Sequence, residues 1–370
     1  MNDLRLATPA DNAALLSLFG RVPMEGQLVL STQRAPDFFA LYRLQRGAAE
    51  CWVADGEGGE LIGMGTILVR DGWLAGQPAR VGYLGDLRAR FSAMRQRGLA
   101  RFYGRILQAA RERHGCDAFL TAVLASNSAA LQALVRRSEK RPDQPWYHPF
   151  RRFALKSIQL TGGRRPPRGT PFAARRAEPA DVPALAAFLA SDHQRRPFGY
   201  RFDQGELEHR LRAWPGFSLE STWLAVGPGG DLAGCTTAWD PVAVKRYQVE
   251  QYRGGLRWQK AAYNAAARAL GWAPLPSPGS PFRTLYLCNT SIAGDDPRAL
   301  AALLEAVYRD ARPRGYQLLS APLYDGDPLA PAFRGFFTRS VEFQLYVVTA
   351  AGAPRTGWPT GRPGFEPALA

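Results

Sequence analysis

The chain has 370 residues, 46% hydrophobic and 21% charged, a balance usual for globular domains and long enough for two of them. No run of about 18 uncharged apolar residues occurs, so no membrane span is expected. The opening MNDLRLATPADNAALL puts an acid and an arginine where a secretion signal needs an apolar core, so a cytoplasmic protein is expected. Cys51, Cys116, Cys235 and Cys288 lack metal-ligand or disulfide spacing and read as reduced core residues, with no metal expected. The net charge of +15 favours anionic ligands, against a background of general arginine richness.

In chain order, a short strand at Leu4–Leu6 leads to Pro9 at a helix start with Asp11 in the first turn. Leu15, Leu18 and Phe19 follow at helical spacing up to Gly20. A second helical segment is expected over 35–46, and strands over 50–54, 60–70 and 80–89, joined by glycine turns. Gly85 to Arg111, GDLRARFSAMRQRGLARFYGRILQAAR, then runs from a strand through an arginine-rich loop into a helix ending near Arg113. At its centre stand Arg95, Gln96, Arg97, Gly98, Leu99 and Ala100. Glycine admits close backbone approach, and the first amides of a helix lack partners within it, which suits a pyrophosphate. A buried strand over 118–124, a helix start at Asn127 and a strand over 152–160 complete this half.

The chain then repeats itself. LRLATPAD at Leu4–Asp11 is echoed by ARRAEPAD at Ala174–Asp181, and WVADGEGGELIG at Trp52–Gly63 by WLAVGPGGDLAG at Trp223–Gly234. The order and offset agree, which argues for a duplicated domain. The Gly-, Pro- and Arg-rich stretch 161–171 reads as a linker between domains at 1–160 and 172–352, and 353–370 as a flexible tail. An insertion at 241–281 opens with a segment expected to be helical, with aromatics and bases interleaved. It reads either as a lid over an extended acceptor or as an amphipathic helix packed on its domain.

The first half resembles the GNAT (Gcn5-related) N-acetyltransferases. Arg95, Gly98 and Ala100 match the family's acetyl-CoA signature [Q/R]-x-x-G-x-[G/A], and Asn127 and Ala130 match its N-x-x-A pattern. The resemblance covers about 4–160 well and 173–350 more faintly. It implies an α/β (α+β) protein of two tandem GNAT-like domains, each with a mixed, mostly antiparallel sheet flanked by helices. It further implies acetyl-CoA or another acyl-CoA as cosubstrate, and an amine of a small molecule or peptide as acceptor. Amides from Gln96 to Ala100 would hold the pyrophosphate with charge from Arg95 and Arg97, and Leu87, Arg88 and Ala89 would pair with pantetheine. Asn127 would contact the pantetheine arm, with plain helix capping as the alternative.

By the same resemblance Asp86 stands where the family often has a base, the alternative being a salt-bridged strand residue. The family's usual acid, a tyrosine seven residues past the asparagine, is replaced by Leu134. Tyr147, Tyr83 or water are the substitutes, and His148 reads as a surface residue. In the second copy Thr290–Asp296 lacks the signature, and Asp295 and Asp296 stand where a pyrophosphate needs positive charge, so that copy is expected not to bind CoA. The expected function is acetyl transfer to an amine by direct attack. The alternatives are an inactive acyl-CoA-binding regulator and a basic nucleic-acid-associated protein.

Overall fold

The computed structural model describes residues 4–20, 26–56, 58–89, 99–137, 139, 144–162, 170–351, 357–358 and 360–370. The linker core and the signature residues Arg95 to Gly98 lie outside the described residues. In the first half the elements are β1 (Leu4–Leu6), α1 (Asn12–Gly20), β2 (Leu28–Gln33), α2 (Ala40–Arg43), β3 (Ala48–Asp55), β4 (Leu61–Leu74), β5 (Gln77–Ala89), α3 (Leu99–His114), β6 (Phe119–Leu124) and β7 (Trp146–Gln159). The second half opens with β8 (Ala173–Arg176), α4 (Val182–Arg195), β9 (Gly199–Tyr200), α5 (Gln204–Ala213), β10 (Thr222–Val226), β11 (Leu232–Trp239) and β12 (Arg246–Tyr252). It closes with α6 (Leu256–Leu270), β13 (Thr284–Ile292), α7 (Pro297–Ala311), β14 (Leu318–Tyr324) and β15 (Thr338–Thr349).

The repeat is physical. Arg5 grips Asp11 through two hydrogen bonds of 2.8 Å, and Arg175 grips Asp181 through bonds of 2.6 and 2.7 Å. Each acid also receives an amide of the preceding turn, from Thr8 at 2.7 Å and Glu178 at 2.8 Å. One proline-led entry to the first helix is thus built twice, on an outer strand pairing with the tryptophan strand: Leu6 opposes Trp52, and Arg176 opposes Trp223.

Both halves share one mostly antiparallel sheet of 13 strands, ordered β1-β3-β4-β5-β6-β15-β7-β14-β13-β11-β10-β8, with β9 attached to β4. The last strands are exchanged. β15 enters between β6 and β7, while β7 lies between β15 and β14. Val347 of β15 is fully buried with Val81, Ala118 and Leu120 of the first half and Leu345 with Phe153, and Ile158 of β7 belongs to the second-half core around Leu303 and Leu319. α3 covers one face of the first-half sheet through Ile106, Leu107 and Ala110, while Leu15, Leu18 and Phe38 cover the opposite face.

Four expectations change. The insertion does not begin as a helix: Arg246–Tyr252 forms β12, which pairs antiparallel with β2 of the other half before α6 starts. Aromatic and branched residues alternate along it, and Gly254–Gly255 break the chain before the helix, so the β period prevails. The helix expected over 35–46 shrinks to α2, and β7 starts at Trp146 instead of residue 152. The tail is not loose at its end either. Ala368 and Leu369 are buried among Trp214, Trp239 and Tyr286, and the Lys245 ammonium hydrogen-bonds the Ala370 carbonyl oxygen. Apolar burial outweighs the Gly- and Pro-rich composition there.

Because each half borrows its closing strand, neither should fold alone. Residues 1–162 expressed alone should show no cooperative thermal transition, whereas coexpression with 163–370 should restore one, read by circular dichroism. Cooperative melting of the isolated fragment would count against the exchanged strands as a folding requirement.

Candidate active site

The site begins where β5 and β6 part. The two strands pair in parallel at Gly82–Phe119 and Tyr83–Leu120, and the Thr121 hydroxyl donates to the Leu84 carbonyl at 2.9 Å. Past these contacts the strands diverge into a wedge. Gly82 is needed at its apex, since a Cβ there would sit 2.1 Å from the Phe119 ring. On the other side, the register between β4 and β5 shifts between Thr66–Gly85 and Met64–Arg88, leaving Asp86 and Leu87 opposite Gly65. This is a β-bulge, and Asp86 takes it with φ 52°, a left-handed conformation that aspartate tolerates better than most residues. Leu87, Arg88 and Ala89 follow along the wedge, and Leu99 and Ala100 open α3.

The Asp86 side chain turns to the face covered by α1 and α2. Arg34 Nη2 lies 2.9 Å from its carboxylate, the Tyr42 hydroxyl donates to it, and Arg34 Nη1 donates to the Tyr42 oxygen at 2.7 Å. The arginine and aspartate side chains are 1% and 9% exposed. The guanidinium is boxed by the rings of Phe19, Phe38 and Tyr42 at 4.7, 5.2 and 5.1 Å. Burial raises the Asp86 pKa, but Arg34 outweighs it with help from the Tyr42 hydrogen bond, so the carboxyl is held below its usual range. Burial pushes Tyr42 well above the usual phenol range.

The remaining predicted residues fall in different places. Tyr147 lies on β7 opposite Val348 and packs edge-on against Tyr346, in the cluster under α3. That is the opposite face of the sheet from Asp86, so the structure does not bring the two together. Arg88 Nη1 donates to the Leu87 carbonyl at 3.1 Å, and its guanidinium lies 4.7 Å from the Phe19 ring. Asn127 Oδ1 accepts the Ala130 amide at 3.0 Å in an exposed turn, which is a capping bond. Leu134 lies in the next turn, its carbonyl held by Gln144 Nε2 at 2.7 Å. His148 stacks on Trp146 and bonds the Thr349 hydroxyl, and is only partly exposed. All four cysteines are buried free thiols, and burial pushes Cys51, Cys116 and Cys235 up to about 12, far from a thiolate nucleophile. Among the described residues no cluster of three His, Cys, Asp or Glu forms, and no helix is long and apolar enough to cross a membrane.

A cleft opens between the halves on the Asp86 face. One small cavity is lined by Leu68, Tyr83, Leu120 and Tyr200 and by Phe365 and Glu366 of the tail. A larger, polar cavity adjoins it, sharing Arg46, Arg70 and Tyr200 and adding Arg80, Arg201 and Asp203. Arg70 stitches the cleft together: it donates to the Phe198, Gly199 and Gly364 carbonyls at 2.8, 3.0 and 3.2 Å, with its guanidinium 3.5 Å from the centre of the Tyr200 ring.

The second copy repeats the bulge. Its register shifts between Thr237–Cys288 and Cys235–Ser291, leaving Asn289 and Thr290 opposite Thr236, and Asn289 also has φ 52°. Arg210, fully buried and boxed by Tyr200, Phe202 and Trp214, donates to Asn289 Oδ1 at 2.5 Å. The pairs Arg34–Asp86 and Arg210–Asn289 are therefore equivalents. Tyr83-Leu84-Gly85-Asp86 against Tyr286-Leu287-Cys288-Asn289 carries this equivalence in the sequence, a signal not used above. Arg34 and Tyr42 lie outside any spaced motif, and their roles were not foreseen.

Residues 23–137 match the acetyltransferase (GNAT) family. No curated protein matches the chain by sequence. Among solved structures, Saccharomyces cerevisiae N-myristoyltransferase with bound myristoyl-CoA has a similar fold, with a TM-score of 0.60 at 12% identity over 96% of this chain and 80% of that one. A GCN5-related N-acetyltransferase from Sphaerobacter thermophilus matches at TM-score 0.55 and 14% identity, over 99% of this chain and 98% of that one. A tandem GNAT protein from the clavulanic acid biosynthesis pathway matches at TM-score 0.54 and 12% identity, over 96% of this chain and all (100%) of that one. Residues 23–137, in the half that carries the wedge, thus match the GNAT family, and the chain as a whole shares the doubled fold of these structures from end to end.

Proposed function

We propose that the chain is an acyl-CoA-dependent N-acyltransferase, working through the first-half wedge, with acetyl as the simplest acyl group. The observation that carries this is the left-handed bulge at Asp86 beside the point where β5 and β6 part, leading into an arginine-rich segment and α3. A wedge of this kind offers the exposed backbone of Leu87 to Ala89 to a pantetheine arm, and the start of α3 to a pyrophosphate. The acceptor amine enters from the cleft lined by Tyr83 and Tyr200. Its nitrogen attacks the thioester carbonyl carbon directly, the C–S bond breaks, and the thiolate leaves, taking a proton. Proximity and alignment supply most of the acceleration.

Asp86 serves this reading as the anchor of the bulge. Its carboxylate is already engaged by Arg34 and Tyr42, so it fixes the backbone that faces the thioester and leaves proton removal to water in the cleft. Tyr147, on the far face of the sheet, takes no part in it.

Acetyl-CoA at a hundredfold excess over its Kd should stabilise the wild type by about 2.7 kcal/mol, a rise of several degrees in melting temperature. Gly98→Asp, which sets a carboxylate in the pyrophosphate segment, should abolish the rise, and a retained rise would refute this placement of the cofactor. Arg34→Met should destabilise the fold by about 3–5 kcal/mol in urea titration, because it strands the buried Asp86 charge, whereas Arg34→Met with Asp86→Leu should recover much of that loss. Asp86→Asn should lower kcat without moving the acidic limb of the pH–rate profile, since the carboxyl stays ionised below that range. A shifted limb would make Asp86 the base after all.

A further inference from the structure

The second copy keeps the wedge but not the loop. β13 and β14 pair in parallel from Thr284–Leu318 to Tyr286–Ser320 and then diverge, as β5 and β6 do. The cavity at this divergence is small and is lined by Leu287 and Thr290 of β13, by Ala321 and Tyr324 of β14, and by Arg362 and Glu366 of the tail. Here the amide of Asn289, the residue equivalent to Asp86, donates to Glu366 Oε1 at 2.9 Å. A carboxylate oxygen thus sits on the bulge amide of the second copy. At the other end of this wedge, the Asp296 carboxylate accepts the Arg298 amide at 2.8 Å at the start of α7. Asp295 beside it is paired at 3.0 Å with Arg362 of the tail, which also reaches Asp327 at 3.0 Å.

We propose that the cofactor wedge of the second copy is filled by the chain's own carboxylates, Asp296 at the phosphate end and Glu366 at the carbonyl end. So anchored, Glu366 is a positioning residue that sets Phe365 as a wall of the acceptor cleft. This rests on the acyltransferase reading of the first-half wedge. The duplication thereby acquires a use: one wedge holds cosubstrate, and its twin holds the tail that shapes the neighbouring cleft. From the Glu366 anchor, the Phe365 ring reaches Tyr83 at 5.7 Å and Phe153 at 5.6 Å between centroids. Gly364 fits this path because its amide bonds the Pro197 carbonyl at 2.9 Å, while a Cβ on it would sit 2.4 Å from Gly199 Cα. The occupied second wedge also accounts for the acids in its loop, which would repel a pyrophosphate: Asp295 pairs with Arg362, and Asp296 accepts from Arg298 at the start of α7.

Two measurements on the full chain test this. Calorimetric titration with acetyl-CoA should give one equivalent bound, lost in Gly98→Asp. Two equivalents would overturn the inference while leaving the acyltransferase reading in place, and none would overturn both. The second places 4-fluorophenylalanine at position 365 and follows its fluorine resonance. Glu366→Ala should move the signal toward its solvent value, Glu366→Gln should keep it, since the amide oxygen still accepts the Asn289 amide, and Gly364→Ala should reproduce the displacement without touching Glu366. An unmoved signal in both Glu366→Ala and Gly364→Ala would overturn the positioning role. Should Glu366→Ala not fold, the Gly364→Ala and Glu366→Gln signals decide alone.

Discussion

The site depends on a backbone conformation that strands do not adopt unaided. At Asp86 the chain turns left-handed inside a sheet, a conformation that costs on the order of 1–3 kcal/mol and persists only where the surroundings enforce it. Here the enforcement is a buried arginine in an aromatic box, and the second copy repeats the solution with Arg210 and Asn289. Two features make the arrangement tolerable. The cation is spread over a flat guanidinium that the rings can flank, and the polar partner sits on the bulge itself, so the pairing that compensates charge burial also holds the strained backbone. A substitution that relieves either one alone leaves the other uncompensated.

The repeat and the order of elements were legible in the sequence because they rest on local rules. Proline at a helix start, an acid in the first turn and a glycine turn between two short strands read the same way wherever they occur, and Arg5–Asp11 and Arg175–Asp181 are their physical form. The bulge network was not legible. Arg34 and Asp86 lie 52 residues apart, and nothing local couples them. The exchange of β7 and β15 was hidden for the same reason, since either strand satisfies its own pattern of alternation whichever neighbour it pairs with. β12 and the tail were misread because composition was weighed above period in one and above burial in the other.

The positive charge looks different once its partners are visible. Arg5, Arg34, Arg175, Arg176, Arg210 and Arg362 each hold one or more carboxylates, and several lie flat on aromatic rings. These pairs fasten each half internally, and Arg70 ties the halves across the cleft. Arg46, Arg80 and Arg201 line the polar cavity at the cleft rim, where Arg46 and Arg80 also pair with Asp203 and Asp71.

Duplication poses a physical problem that the tail answers. A second wedge with its bulge intact would leave a hydrogen-bond donor aimed into a crevice, and a buried donor without an acceptor costs about 1–3 kcal/mol. A copy that no longer takes a ligand must either lose the bulge, and with it the packing of Arg210, or supply an acceptor from within. Glu366 supplies it, and burial, which pushes its carboxyl above the usual range, is opposed there by Arg210 and the Asn289 amide. The asymmetry of the two halves then follows from one choice of occupant. On the acyltransferase reading the first wedge is left to an incoming ligand, and the second closes on the chain itself.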